Sequence, residues 1–217
     1  MPLTLQVAEI FKSVQGESSR AGLPCVFIRL TGCNLRCVYC DTTYAYDFGV
    51  EMSIDDIVAT VDRFGLELVE LTGGEPLLQP NVIELIDRFI DKGFQTMIET
   101  NGSVSLRGVN PNAIVIMDVK TPGSGMAGQM RLDNLRLLKP TDEIKFVLTN
   151  RSDYEWSKQF IEEHRLIKKY GLLFSPAYGV LEPQALVGWM LKDNFPARLN
   201  VQLHRYFWTE RQGRGAI

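Results

Sequence analysis

Short apolar runs alternate along most of this chain with longer stretches whose apolar residues return every three or four positions. The short runs fall at residues 8–13, 25–30, 68–72, 94–100, 113–120, 143–148, 172–175 and 198–203. They are rich in Val, Ile, Phe and Leu and too short for helices, so they predict strands. Between several of them the pattern becomes helical. Ser53 followed by Asp55 and Asp56 is an N-cap with acidic first-turn residues, and it opens a helix to about Phe64. Pro80 and Asn81 precede a helix over 82–92 that Gly93 stops, and 152–170 predicts the longest helix, ended by Gly171. Strands alternating with helices imply an α/β fold with a mainly parallel sheet, curved into a partial barrel. No repeat, linker or low-complexity tract interrupts it, so 1–217 is taken as one domain. The loop 121–129, with Gly123, Gly125 and Gly128, reads as a mobile or plain surface loop.

The strand-like runs share a feature at their ends. Each gives way to polar or glycine-rich residues, among them Thr72-Gly-Gly-Glu-Pro76, Glu99-Thr-Asn-Gly102, Asp118-Val-Lys120, Ser175-Pro176 and Gln202-Leu-His204. In parallel α/β sheets and barrels, sites assemble at the carboxyl edge of the strands. These segments therefore predict a single enclosed site on one rim. Composition narrows its partners. Hydrophobic residues at 45%, charged residues at 23% and a formal net charge of −3 describe a soluble globular chain. No basic stripe of the kind that tracks nucleic acid exists. Neither a signal peptide nor a membrane-length apolar run is visible.

The chemistry is concentrated in Cys33-Asn-Leu-Arg-Cys37-Val-Tyr-Cys40, which holds three of the chain's four cysteines. Three thiolates can hold three corners of a 4Fe–4S cluster and leave the fourth iron open to a small molecule. A zinc knuckle or a redox pair is the alternative for clustered cysteines. Structural zinc wants four ligands, usually in two pairs, and no second pair exists. Cys25 sits inside an apolar run, where a cysteine behaves as a small hydrophobe. Thiols kept free for iron suit a reducing, cytoplasmic compartment.

Cys-x3-Cys-x2-Cys with Tyr39 before the last cysteine resembles the signature of the radical S-adenosylmethionine superfamily. Within it, the set Gln15-Gly-Glu17, Phe27-Ile-Arg-Leu-Thr-Gly-Cys33, Cys40-Asp-Thr42, Thr72–Pro76, Ile98–Gly102 and Gln202-Leu-His204 resembles the 7-carboxy-7-deazaguanine synthases, from Glu9 to about His204. The resemblance implies the superfamily's partial, modified TIM-type β/α barrel. It implies conversion of 6-carboxy-5,6,7,8-tetrahydropterin to 7-carboxy-7-deazaguanine with loss of ammonia, a lyase step toward 7-deazapurines such as queuosine. Cys33, Cys37 and Cys40 would hold the cluster and Thr42 a Mg²⁺. Tyr39, Gly74, Glu75, Glu99, Asp118, Val119, Lys120, Ser175, Pro176, Ala177 and Tyr178 would contact S-adenosylmethionine. Val14, Gln15, Gly16, Glu17, Arg29, Thr72, Gln202 and His204 would contact the pterin. In physical terms, Glu75 supplies an anion for an ammonium, Glu99 and its neighbours suit a ribose diol, and Arg29 suits the substrate carboxylate. A flavodoxin-type electron donor and a homodimer are further implications. Other readings are a radical activase acting on a partner protein, and a non-enzymatic metal-binding regulator. Beyond His204, the pair Phe207-Trp208 reads as a lid over the pocket mouth, with Arg211 or Arg214 adding positive charge for a carboxylate-bearing substrate; a solvated, frayed terminus is the alternative.

Overall fold

A computed structural model of the protein describes residues 2–207. One nine-stranded sheet organises them, in the order β3-β1-β2-β4-β5-β6-β7-β8-β9. β1 (Thr4–Val14) pairs antiparallel with β2 (Pro24–Leu30) and with β3 (Val50–Ser53). From β2 onward every pairing is parallel: β4 (Leu68–Gly73), β5 (Gln95–Thr100), β6 (Ile114–Asp118), β7 (Glu143–Leu148), β8 (Gly171–Pro176) and β9 (Arg198–Leu199). β3 and β9 are the two free edges, so the sheet is an open, partial barrel.

The period-two alternation of the strands decides what faces inward. Val26, Ile28, Leu30, Val69, Leu71, Ile98, Val115, Met117, Ile144, Phe146 and Phe174 join the large core shared with the helices. Cys25, Leu68, Met97, Ile116 and Leu173, on the opposite parity, form a second buried cluster. Above that plug the same inward parity carries Arg29, Glu70 and Thr72, Glu99, Asp118, Lys145 and Ser175 into one cavity. Cys25 is fully buried.

The helices are α1 (Ile54–Asp62), α2 (Val82–Asp91), α3 (Arg151–Glu163), α4 (Pro183–Asp193) and the single turn α5 (His204–Phe207). Ser53 caps α1 by accepting the Asp56 N–H at 3.1 Å. Asn150 caps α3 in the same way, through the Asp153 N–H at 3.0 Å. Four expectations are corrected. α3 stops at Glu163 and not at 170, because Arg165 and Lys168 both take left-handed backbone that a helix cannot continue through. α4, opened by Pro183, has no counterpart among the predicted helices. The strand expected over 198–203 is only two residues long, so Gln202 lies in a loop and His204 begins α5. The loop 121–129 is anchored: the Gly123 N–H reaches Asp153 at 2.8 Å, and the Ser124 carbonyl accepts the Val38 N–H at 3.1 Å. Among the described residues no helix is long and apolar enough to cross a membrane.

Candidate active site

The carboxyl ends of the strands enclose a cavity of about 540 Å³. Of the residues expected to hold the cluster, Mg²⁺, S-adenosylmethionine or the pterin, all line it except Glu75 and Val119. Val119 has the opposite parity to Asp118, packs in the helix-side core and gives its N–H to the Lys145 carbonyl at 2.8 Å.

The cysteine loop follows β2 and arches over the cavity. Cys33, Cys37 and Cys40 are free, partly buried thiols that all face it. The Leu35 N–H and the Asn101 amide approach Cys33 Sγ at 3.5 and 3.9 Å. Burial raises the Cys37 thiol, and Lys120 opposes that shift. Among the described residues no three His, Cys, Asp or Glu side chains converge as ligands of one ion.

The glycines after β4 serve the protein's own backbone. Gly73 has φ +136, and a Cβ there would drive into the Leu30 backbone. A Cβ on Gly74 would meet the Gly32 carbonyl and Cys33 Cβ. The Gly-Gly pair thus lets β4 pass directly beneath the start of the cysteine loop. Glu75 was expected to offer its anion to a ligand. Its carboxylate is fully buried and accepts the Leu77 N–H at 3.1 Å, the Thr100 hydroxyl at 2.8 Å and the Asn101 N–H at 2.6 Å. It braces the end of β5 from behind.

At the cavity floor is a charge cluster that the sequence reading passed over. Lys145, in the middle of β7, donates to Glu17 Oε2 at 2.9 Å and to Glu99 Oε1, and lies 3.9 Å from Asp118 Oδ2. Asp118 is itself paired with Lys120 at 2.7 Å. Burial alone would raise the Glu17 carboxyl, but Lys145 pulls it below its ordinary value. Burial works to lower the Lys145 ammonium, and the surrounding carboxylates overrule it and raise it well above. Glu70 sits beside this cluster on β4 and accepts the Gln15 amide. A signal for both residues was available: a charged side chain at an inward position of an otherwise apolar parallel strand.

Glu70 leads to a prediction. Burial, then the charges of Glu99 and Glu17, push its carboxyl up to about 8 from an ordinary 4.5. Folded protein then holds a proton that unfolded chain releases, so stability falls as pH rises from 4.5 toward 8. Glu70→Gln is expected to remove that fall, a gain of a few kcal/mol near pH 8 and little near pH 4.5. Thermal melts across this range test it, and parallel profiles for the two proteins would sink it.

The far wall joins distant segments. Gln202 reaches Glu17 Oε1 at 3.1 Å, and Arg205 reaches Asp41 at 3.0 Å while stacking on the Tyr178 ring at 3.8 Å. The Leu203 N–H binds the Gly16 carbonyl at 2.9 Å, and a Cβ on Gly16 would strike the His204 ring. Burial keeps His204 below its ordinary value. Arg29 is engaged by Glu9 through Nε at 2.7 Å, with its guanidinium against Phe11 and Tyr44. Thr42 gives its hydroxyl proton to Asp41 Oδ1 at 2.9 Å. Phe207 ends α5 and is 56% exposed, off the cavity lining. Trp208, Arg211 and Arg214, the rest of the expected lid, lie outside the described residues.

The cavity fits a cofactor on its own evidence. Among the described residues, the buried side-chain polar atoms left without a partner belong to Ser13, Tyr39 and Asp118, and all three line it. Such atoms are costly unless a ligand satisfies them. Three soft thiols on the same wall are the donor set for iron and sulfide.

Comparison with known proteins agrees. The Radical SAM superfamily matches residues 27–114. Crystalline QueE from Escherichia coli shares the fold, with TM-score 0.75 at 24% identity over 93% of this chain and 95% of that one. The 7-carboxy-7-deazaguanine synthase of Koribacter versatilis is 42% identical over 94% of this chain and 97% of its own length. That of Chlorobaculum tepidum is 43% identical over 94% of both. With likeness of this extent across the whole cavity-forming chain, the protein belongs to the 7-carboxy-7-deazaguanine synthase family of radical S-adenosylmethionine enzymes.

Proposed function

We propose that this cavity, in a single domain spanning 1–217, converts 6-carboxy-5,6,7,8-tetrahydropterin to 7-carboxy-7-deazaguanine with loss of ammonia. What carries the reading is one observation: the cysteine loop, the Gly73-Gly74 turn, the Glu99 strand end and the Gln15-Gly-Glu17 loop meet at one cavity. Cys33, Cys37 and Cys40 hold a 4Fe–4S cluster. S-adenosylmethionine lies against Tyr39, Gly74, Glu99, Asp118, Lys120 and the turn 175–178. When bound, these cofactors supply a carbon radical able to take a hydrogen atom from an unactivated C–H bond.

The chain's own residues orient the pterin and manage its protons. Gln15 and Glu17 present an acceptor-rich edge to the pterin's donors, with Glu17 held ionised by Lys145. Gln202 fixes the second Glu17 oxygen. Arg29 keeps guanidinium nitrogens beyond its Glu9 contact for the substrate carboxylate, and neutral His204 offers a ring N–H. The surrounding wall excludes bulk water, which strengthens each of these contacts. Reducing power comes from a flavodoxin-type donor, and the working unit is a homodimer in the cytoplasm. The readings as a protein activase or a metal-binding regulator lose their support in the family relationship.

Thr42 is proposed to give one oxygen to a Mg²⁺ that keeps several waters and reaches the substrate. Anaerobic turnover with reductant, S-adenosylmethionine, Mg²⁺ and the pterin, read by mass spectrometry, tests the whole reading. Absence of 7-carboxy-7-deazaguanine would end it. Thr42→Ala is expected to keep the cluster and slow S-adenosylmethionine cleavage, while product formation and its Mg²⁺ dependence fall together. An unchanged Mg²⁺ response would place the metal elsewhere.

A further inference from the structure

We propose that Lys145 is a positioning residue shared by the two ligand subsites, a single buried ammonium that holds Glu17 for the pterin and Glu99 for the ribose of S-adenosylmethionine. The inference rests on the reading of Glu17 and Glu99 given above.

Its basis is geometric. Lys145 lies at an inward position of β7, and its side chain is only 7% exposed. An ammonium has three N–H donors. One goes to Glu17 Oε2 at 2.9 Å and another to Glu99 Oε1. Asp118 Oδ2, at 3.9 Å, is beyond hydrogen-bond reach and is served by Lys120. The remaining partners of Glu17 are neutral amides, Asn200 at 3.2 Å and Gln202 at 3.1 Å. Lys145 is thus the cation that both carboxylates touch. The other titratable groups that act on Lys145 or on these two carboxylates are Glu70 of β4, Asp118 of β6, Tyr39 and Asp41 of the cysteine loop, and His204 of α5.

Among the described residues Lys145 is the cation in contact with Glu17 and Glu99, and a buried carboxylate that loses such a contact is driven toward its protonated form, because ionisation in a desolvated site is costly. Removing the ammonium therefore drives both carboxyls toward their protonated forms, Glu99 the more readily because burial already holds it above its ordinary value against the pull of Lys145. Each then loses an acceptor, and the two subsites fail together although they bind different molecules. Raising the pH restores the charges and the binding. A residue that merely filled space would show neither the pairing of the two losses nor their pH dependence.

The test is equilibrium binding to the anaerobically reconstituted enzyme with its cluster oxidised and no reductant, so that no chemistry occurs. Affinities for S-adenosylmethionine and for 6-carboxytetrahydropterin are measured separately from pH 6.5 to 9. For Lys145→Met, both are expected to fall about tenfold or more near pH 7 and to recover toward pH 9. Lys145→Arg, which keeps the charge, is expected to stay within about threefold of wild type for both. If Lys145→Met does not fold by circular dichroism, Lys145→Gln repeats the comparison, since it keeps N–H donors without the charge. Loss for one ligand alone, loss for neither, or an equal loss independent of pH would each overturn the proposal. Wild-type enzyme that binds S-adenosylmethionine but not the pterin would remove the substrate reading itself, and this inference with it.

Discussion

Cys33→Ala, Cys37→Ala and Cys40→Ala are each expected to abolish the broad visible iron–sulfur absorption and all turnover, while Cys25→Ala retains both. The three thiols face one cavity from one loop, whereas Cys25 is fully buried in the plug of Leu68, Met97, Ile116 and Leu173 on the strands beneath it. Burial, with Glu70 nearby, raises the Cys25 thiol far above its ordinary range, so it offers no thiolate to iron. With three cysteine ligands no substitute exists within the loop, and the loss is all or none. Iron and sulfide content after anaerobic reconstitution gives the measurement. Loss of the cluster in Cys25→Ala alone would overturn both the ligand set and the open iron site.

Glu75→Ala is expected to destabilise the fold by about 2–4 kcal/mol, because it strands buried donors at once. Those donors are the Leu77 and Asn101 N–H groups and the Thr100 hydroxyl. Asn101 also approaches Cys33 Sγ, so the damage extends to the cysteine loop, and cluster content is expected to fall with stability. Denaturant unfolding of the apoprotein measures the first effect and iron analysis the second. A Glu75→Ala protein of unchanged stability, weakened only in S-adenosylmethionine affinity, would return Glu75 to the role of ammonium ligand.

Much of this site could be read before any fold was known, for a local reason. Cys33, Cys37 and Cys40 lie within eight residues, so they declare themselves by spacing. Strand ends with glycine or paired polar residues declare the rim, and the antiparallel start of the sheet does not disturb that logic. Lys145 and Glu70, by contrast, each read locally as an ordinary strand residue. The inward parity that gives them meaning was visible, but the partners were not. Glu17, Glu99 and Lys145 are separated by long stretches of chain and meet only because β5, β6 and β7 lie side by side under the loop after β1. Arg205 carries no signal at all in the sequence; its contacts with Asp41 and Tyr178 arise where α5 closes the wall.

The division between sequence and tertiary structure follows the range of the interactions. Alternation, caps and cysteine spacing act over a few residues, so the amino-acid sequence alone determined the α/β class, a mainly parallel sheet and the cluster loop. Element lengths were decided elsewhere. α3 ends where two left-handed residues turn the chain, and β9 shrinks to two residues before α5. The orientation of Glu75 and the need for Gly73 and Gly74 were likewise set by neighbours across the sheet. The ionisation of the cavity was settled last, since a charge buried in a low-dielectric site takes its state from partners that only the closed fold brings within reach.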